Sequence, residues 1–296
     1  MKILILEAGG GCGISTIQIV KESLPKIWVV AADCNKYARG LFLADKKVIL
    51  PKSSDNNYSE SLINLCKEEN IDLIMPTFEN GFEKMQNLEL PFITDFESAI
   101  LCKDKLNFSK IARENHLNVP KTEPLEKTDI CPPFFVKPRF GSGGRNIGII
   151  KNEEDKKFFL NQNIEFIAQE LLFGEPWNID VLVKENKFIT AVPRRDILIK
   201  SEESLTIEIR KNYKLLEAAK IIQKRLNIKS PFNIQGFLHN DKFLIHEINV
   251  RFAAGIIFLY HSGINFPKIL IENKIINELE VKEGVYSKIP FVKKII

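Results

Sequence analysis

The sequence predicts an α/β unit on a parallel sheet, continued by α+β material of a different character. Three observations carry this. Over the first hundred residues, short uninterrupted Ile/Leu/Val runs alternate with helical patterns, as expected for strands buried on both faces and joined by crossover helices. From Phe134 onward the runs shorten and alternate with polar residues, as in antiparallel strands with one solvated face. At 296 residues the chain exceeds what one core organises, so two or three subdomains are expected.

In order, Lys2 to Leu6 reads as a strand, Gly13 to Ser23 as a helix, Ile27 to Ala32 as a strand, Tyr58 to Glu69 as a helix and Ile71 to Met75 as a third strand. The segment Lys105 to Asn115 forms a helix with Leu106, Ile111 and Ala112 as its apolar stripe, and Pro120 prevents its extension. Asp129-Ile130-Cys131-Pro132-Pro133 reads as a linker. Strands follow at Phe134 to Lys137, Asn146 to Ile150, Phe166 to Leu171, Asn178 to Val183 and Phe188 to Val192. A long helix, Asn212 to Leu226, precedes a hairpin of Asn233 to His239 and Lys242 to Val250 around Asn240-Asp241.

Composition excludes several classes. The 42 Lys+Arg against 38 Asp+Glu leave a net charge of +4, which argues against disorder and against nucleic acid held by bulk charge. The apolar opening run is too short for a secretory signal, and no uncharged run approaches the roughly 18 residues of a membrane span. A cytoplasmic protein without membrane or nucleic-acid partners is expected. The five cysteines, Cys12, Cys34, Cys66, Cys102 and Cys131, are widely spaced and never form a C-x-x-C pair, so neither a disulfide framework nor a zinc site is predicted.

Three segments could carry chemistry. Gly9-Gly10-Gly11-Cys12-Gly13 lies between strand and helix with Asp33 some twenty residues on, but no register gives G-x-G-x-x-G, and a close-packed turn is the favoured reading. In Phe134-Phe135-Val136-Lys137-Pro138-Arg139-Phe140-Gly141-Ser142-Gly143-Gly144-Arg145, a strand ending in lysine enters a glycine loop, whose freed N–H groups can converge on phosphate beside the lysine charge. Near the C-terminus, Glu247, Asn249 and Arg251 alternate on one strand opposite Gln235 and Phe237. Hard oxygen donors beside a cation on one strand face suit Mg²⁺ with phosphate. His246 falls on the opposite face and reads as a packing or surface residue.

Strand lysine, glycine loop, the Gln169-Glu170-Leu171-Leu172 hinge and Glu247-x-Asn249-x-Arg251 occur in the order found in the ATP-grasp superfamily. The chain most resembles its short, carbamoyl-phosphate-synthase-like members. The resemblance implies an amino-terminal pre-ATP-grasp sheet over residues 1–97, a central subdomain with the glycine loop over 98–172 and a C-terminal subdomain with the metal site over 173–296. It implies that Lys105 and Lys137 reach the nucleotide phosphates, that Gly141, Ser142, Gly143 and Gly144 close over them, and that Glu170, Leu171 and Leu172 flank the adenine. Glu175, one place displaced from the family pattern, stands for the ribose-binding acid. Gln235, Glu247 and Asn249 match the ligands of Mg²⁺ or Mn²⁺, and Arg251, Lys137 and Arg194 the groups that neutralise charge in catalysis.

The implied activity is ATP-dependent ligation: a small carboxylic acid, an amino acid first, becomes an acyl phosphate that an amine displaces, with ADP and phosphate released. Three alternatives stand beside it: bicarbonate activation for carbamoyl or carboxyl transfer, a nicotinamide oxidoreductase using Gly9 to Gly13 and Asp33, and a non-catalytic nucleotide sensor. His116, His239, His246 and His261 carry no accompanying nucleophile signature. Oligomeric state is not legible in the sequence.

Overall fold

A computed structural model describes residues 1–141, 143–200, 203–272 and 280–289. The amino-terminal part runs β1 (Lys2–Leu6), α1 (Gly11–Ser23), β2 (Trp28–Asp33), β3 (Lys46–Ile49), α2 (Tyr58–Glu69) and β4 (Leu73–Pro76) into α3 (Phe82–Met85), α4 (Phe96–Lys103) and α5 (Lys105–Glu114). The central part is β5 (Thr122–Pro124), β6 (Phe134–Pro138), β7 (Gly148–Ile150), α6 (Glu153–Leu160) and β8 (Phe166–Glu170). Then follow β9 (Glu175–Lys184), β10 (Lys187–Lys200), β11 (Glu203–Ile209), α7 (Tyr213–Leu226), β12 (Phe232–His239), β13 (Lys242–Asn249), α8 (Ile256–His261), α9 (Phe266–Ile271) and β14 (Gly284–Ser287).

The first sheet has strand order β3-β2-β1-β4, with every pair parallel. Along β1 the side chains alternate between two cores. Ile3 and Ile5 join Ile17 and Val20 of α1 and Phe258 and Leu259 of α8, whereas Leu4 and Leu6 join Leu62 of α2, Phe82 and Phe108. Burial on both faces explains the uninterrupted apolar run, each such side chain contributing roughly 1.5–3 kcal/mol.

The central sheet, β5-β8-β6-β7, is antiparallel and keeps a small core of its own around Leu125, Phe134, Val136, Ile150 and Phe166. Asp129 to Pro133, expected as a linker, instead connects β5 to β6 within this sheet, held where Glu123 accepts from Thr128 Oγ1 and the Asp129 N–H. The third sheet, β13-β12-β9-β10-β11-β14, is antiparallel throughout. Helix α7 is capped by Asn212, whose Oδ1 accepts from the N–H groups of Lys214 and Leu215, and it buries Leu215, Ala219 and Ile222 against one face of that sheet. On the other face Leu182, Val192, Ile207 and Ile209 join the core of Ile3 and Ile5, and polar residues lie beside them. Among the described residues no helix is long and apolar enough to cross a membrane.

Candidate nucleotide and metal site

Strand register builds the polar face. Arg194 of β10 pairs with Asn178 of β9, Asn178 with Gln235 of β12, and Gln235 with Glu247 of β13; two residues along, Asp180 pairs with Asn233 and Asn233 with Asn249. Cross-strand partners share a face, so Gln235, Glu247 and Asn249 stand together. One carboxylate and two amide oxygens are hard donors that fit Mg²⁺ completed by phosphate oxygens and water. Glu247 makes no side-chain hydrogen bond or ion pair among the described residues, which leaves its oxygens available, while Asn249 Oδ1 accepts from Arg251 Nη2 at 3.1 Å. No cluster of three His, Cys, Asp or Glu suited to a metal occurs among the described residues, so any ion here depends on ligand oxygens.

Opposite this face stands β6. Lys137 is 5% exposed and donates from Nζ to the His246 carbonyl at 3.2 Å, tying the central sheet to β13. Burial pushes its ammonium down to about 8, with Glu247 opposing that effect and Lys105 adding to it. Lys105 opens α5 behind its cap Asp104, which Arg139 grips through Nε at 2.8 Å and Nη2 at 2.5 Å. Lys105 Nζ donates to the Gly141 carbonyl at 2.6 Å, joining helix to glycine loop. Gly141, Gly143 and Gly144 hold φ of 142°, 75° and 53°, a run that side-chain-bearing residues adopt only at a cost. Ser142 lies outside the described residues.

At the hinge, Glu170 Oε2 accepts from the Lys121 N–H at 2.8 Å. A cavity of about 670 Å³ opens there, lined by Glu170, Leu171, Leu172, Cys131, His239 and Leu244 among others.

Three sequence expectations need correction. Glu175 does not face the nucleotide side: it lies on the α7 side of the sheet, bound to Arg195, Arg210 and the Trp177 Nε1–H. Arg194 is enclosed rather than free, donating through Nε to Asp180 at 2.7 Å and through Nη1 to Asp196 at 3.1 Å; its charge is spent inside the sheet. His246 does not sit opposite the polar cluster. The register jumps from Gln235 opposite Glu247 to Gly236 opposite Ile245, a bulge that makes His246 the extra residue. Burial, then neighbouring Lys137, pushes its imidazole down to about 4.

Residues 162–289 match the family model described as "ATP-grasp in the biosynthetic pathway with Ter operon", and residues 3–95 match "PylC-like, N-terminal domain". These matches make the carboxyl-terminal part of the chain similar to ATP-grasp proteins and its amino-terminal part similar to the PylC-like domain. Among similar proteins, a D-alanine–D-alanine ligase of Petrotoga mobilis is 25% identical over 175 residues, 52% of this chain and 58% of that one. A carbamoyl phosphate synthase large chain of Thermoanaerobacter is 24% identical over 232 residues, 67% of this chain but 21% of that one. The chain thus spans only part of the length of these relatives. The fold is also that of N5-carboxyaminoimidazole synthetase from Staphylococcus aureus complexed with ADP, at TM-score 0.79 and 18% identity over 96% of this chain and 81% of that one. L-amino acid ligase from Bacillus licheniformis follows at TM-score 0.70 and 15% identity, over 91% and 73%.

Sequence reasoning missed two sets of residues at this candidate site. Asn178, Asp180, Asp196 and Asn233 form the hydrogen-bonded web beside Gln235, Glu247 and Asn249; polar residues at i, i+2 on the apolar strands were the available signal. Glu79, in the loop after β4, reaches Arg251 from the first domain, and nothing local marks it. The first glycine cluster serves packing. A Cβ on Gly13 would sit 2.8 Å from Ala8 Cα and from the Glu7 carbonyl oxygen, and one on Gly11 would sit 3.1 Å from Ala254 Cβ. Asp33 is occupied as well, accepting from the N–H groups of Gly9 and Asn35, both at 2.8 Å.

Proposed function

We propose that the chain is an ATP-dependent carboxylate–amine ligase that activates a small carboxylic acid, an amino acid, as an acyl phosphate and releases ADP and phosphate. One observation carries the reading: Lys137 and Lys105, one of them fastened to the glycine loop, meet the face of Gln235, Glu247 and Asn249 across the join of two sheets. In this reading the subdomains change near residues 97 and 172. The backbone of Leu171 and Leu172 reads the adenine edge, Lys105 and Lys137 take the phosphates, and Arg251 takes the substrate carboxylate. Gln235, Glu247 and Asn249 hold Mg²⁺ or Mn²⁺, which when bound neutralises β/γ-phosphate charge.

The chemistry needs no side-chain nucleophile. A carboxylate oxygen attacks the γ-phosphorus, the bond to the β-bridging oxygen breaks and ADP leaves. The amine then attacks the acyl carbon, the C–O bond to phosphate breaks, and the amine proton passes to solvent. Lys105, Lys137 and Arg251 neutralise charge where it develops, and the Gly141–Gly144 loop keeps out water that would hydrolyse the intermediate. A second reading, bicarbonate as the activated acid, draws support from the carbamoyl phosphate synthase relatives. The nicotinamide reading is weakened because Asp33 already binds two N–H groups.

The test is phosphate release from MgATP with a panel of amino acids and with bicarbonate, plus hydroxylamine trapping. Release that depends on an amino acid and gives a hydroxamate is expected. Dependence on bicarbonate alone would select the second reading, and AMP as the stoichiometric product would overturn both.

A further inference from the structure

Where the first domain meets the metal strand, two buried charges face each other without completing their bonds. Arg251 Nε lies 3.6 Å from Glu79 Oε1, with the side chains 14% and 12% exposed. That separation exceeds hydrogen-bond reach, and the buried Arg251 Nε has no hydrogen-bond partner among the described residues. The rest of the guanidinium is engaged, Nη1 with the Phe252 carbonyl at 3.0 Å and Nη2 with Asn249 Oδ1 at 3.1 Å. The Glu79 carboxylate accepts no hydrogen bond among the described residues; only its backbone carbonyl is used, by Lys103 Nζ and the Phe82 N–H, both at 3.4 Å. Burial raises its pKa, with Glu247 adding to the effect and Arg251, Lys105 and Lys103 opposing it.

An orphaned buried N–H costs free energy that an acceptor would recover. The unfilled requirements are complementary: among the described residues Arg251 Nε lacks a hydrogen-bond acceptor and the Glu79 carboxylate lacks a hydrogen-bond donor. An α-amino acid carries both groups on adjacent carbons, so one molecule that parts the two side chains replaces a loose ion pair with two charge-assisted hydrogen bonds. We propose that Glu79 and Arg251 form a clamp for a zwitterionic α-amino acid, Glu79 binding its ammonium group while Arg251 holds the carboxylate that receives the phosphoryl group. This rests on the ligase reading above and adds to it a specificity-determining residue on the first domain. A buried site built around a polar contact rejects the analogue lacking it strongly, because its own group is then left unpaired.

The experiment measures phosphate release and hydroxamate formation under saturating MgATP. Parent and Glu79→Gln proteins are compared on each proteinogenic L-amino acid and, for every active one, on its des-amino acid, such as propionate for alanine or glutarate for glutamate. The parent is expected to prefer the amino acid by about a hundredfold or more in kcat/KM. Glu79→Gln should lose about that factor on the amino acid, mainly through KM, and change less than about threefold on the des-amino acid. Equal loss on both substrates would mean that Glu79 only orients Arg251, overturning the clamp. Equal use of both substrates by the parent would overturn it as well, even if the variant failed to fold. Normal hydroxamate formation from the amino acid by Glu79→Gln, with only transfer to the second amine impaired, would assign Glu79 to the nucleophile instead. If no carboxylate releases phosphate, the ligase reading fails and the clamp with it, an outcome distinct from activity without amino-group discrimination.

Discussion

Two polar clusters lie on the same sheet face and behave differently. Around Arg194, every charge has its partner within the chain: Asp180 and Asp196 bind the guanidinium, while Asn233 and Asn178 donate to those same carboxylates. Around Lys137, Glu247, Glu79 and Arg251, charges are collected but left short of contact: among the described residues Lys137 bonds only to a carbonyl and Arg251 Nε to nothing. A completed network holds strands in register. An incomplete one stores affinity for whatever completes it, at the expense of the free protein's stability. Substitutions should therefore damage folding in the first cluster and ligand handling in the second.

Glu247→Gln offers the largest contrast. It should lower carboxylate-dependent turnover by about a thousandfold or more while shifting Tm by less than about 3 °C, because the carboxylate has no internal partner to lose. Steady-state phosphate release and a melting curve decide it, and a large fall in Tm would erase the distinction between clusters. Arg194→Ala should do the reverse. Leaving Asp180 buried and uncompensated costs about 3–5 kcal/mol, which lowers Tm by roughly 10 °C; calorimetry would reveal a thermally unaffected variant and so refute the structural role.

Lys137→Ala should weaken ATP binding by about tenfold to a hundredfold. The parent supplies a sharper form of the test. Lys137 is pushed down to about 8, so its charge is present below that pH and lost above it. ATP affinity measured by titration calorimetry should fall by up to about tenfold per pH unit above 8, and Lys137→Ala should abolish that slope. The same shift has the opposite effect on folding: between about 8 and the unfolded value of 10.5 the unfolded chain holds the extra proton, so this residue makes stability rise with pH.

The smallest effect lies outside both clusters. Burial, reinforced by Asp33, raises Glu7 to about 8, and its Oε2 has no hydrogen-bond partner among the described residues. The stability it allows is fully present below 4.5 and is lost as pH rises through about 8. Glu7→Gln should flatten that decline, and recovering even about 1 kcal/mol would raise Tm by roughly 2 °C at pH 8. Melting curves at pH 5 and pH 8 check the sign, and equal shifts at both would contradict it.

Much of this was legible in the residues themselves. The run Lys2–Leu6 had to be a strand buried on both faces, α2 and α7 showed their helical pattern, and the Asn240-Asp241 turn announced the hairpin, both residues adopting positive φ. Lysine, glycine loop and Glu-x-Asn-x-Arg were readable because donor chemistry and strand alternation are local properties. What the tertiary structure alone decided was partnership. β3, β5, β11 and β14 are short or polar and exist because a neighbouring strand completes their hydrogen bonds. A single bulge carried His246 beside Lys137, which strict alternation cannot foresee. Whether an arginine is spent, as Arg194 is, or waiting, as Arg251 is, depends on carboxylates supplied by other strands and by another domain. Composition sets how many charges there are, whereas distance across the fold sets which of them neutralise one another.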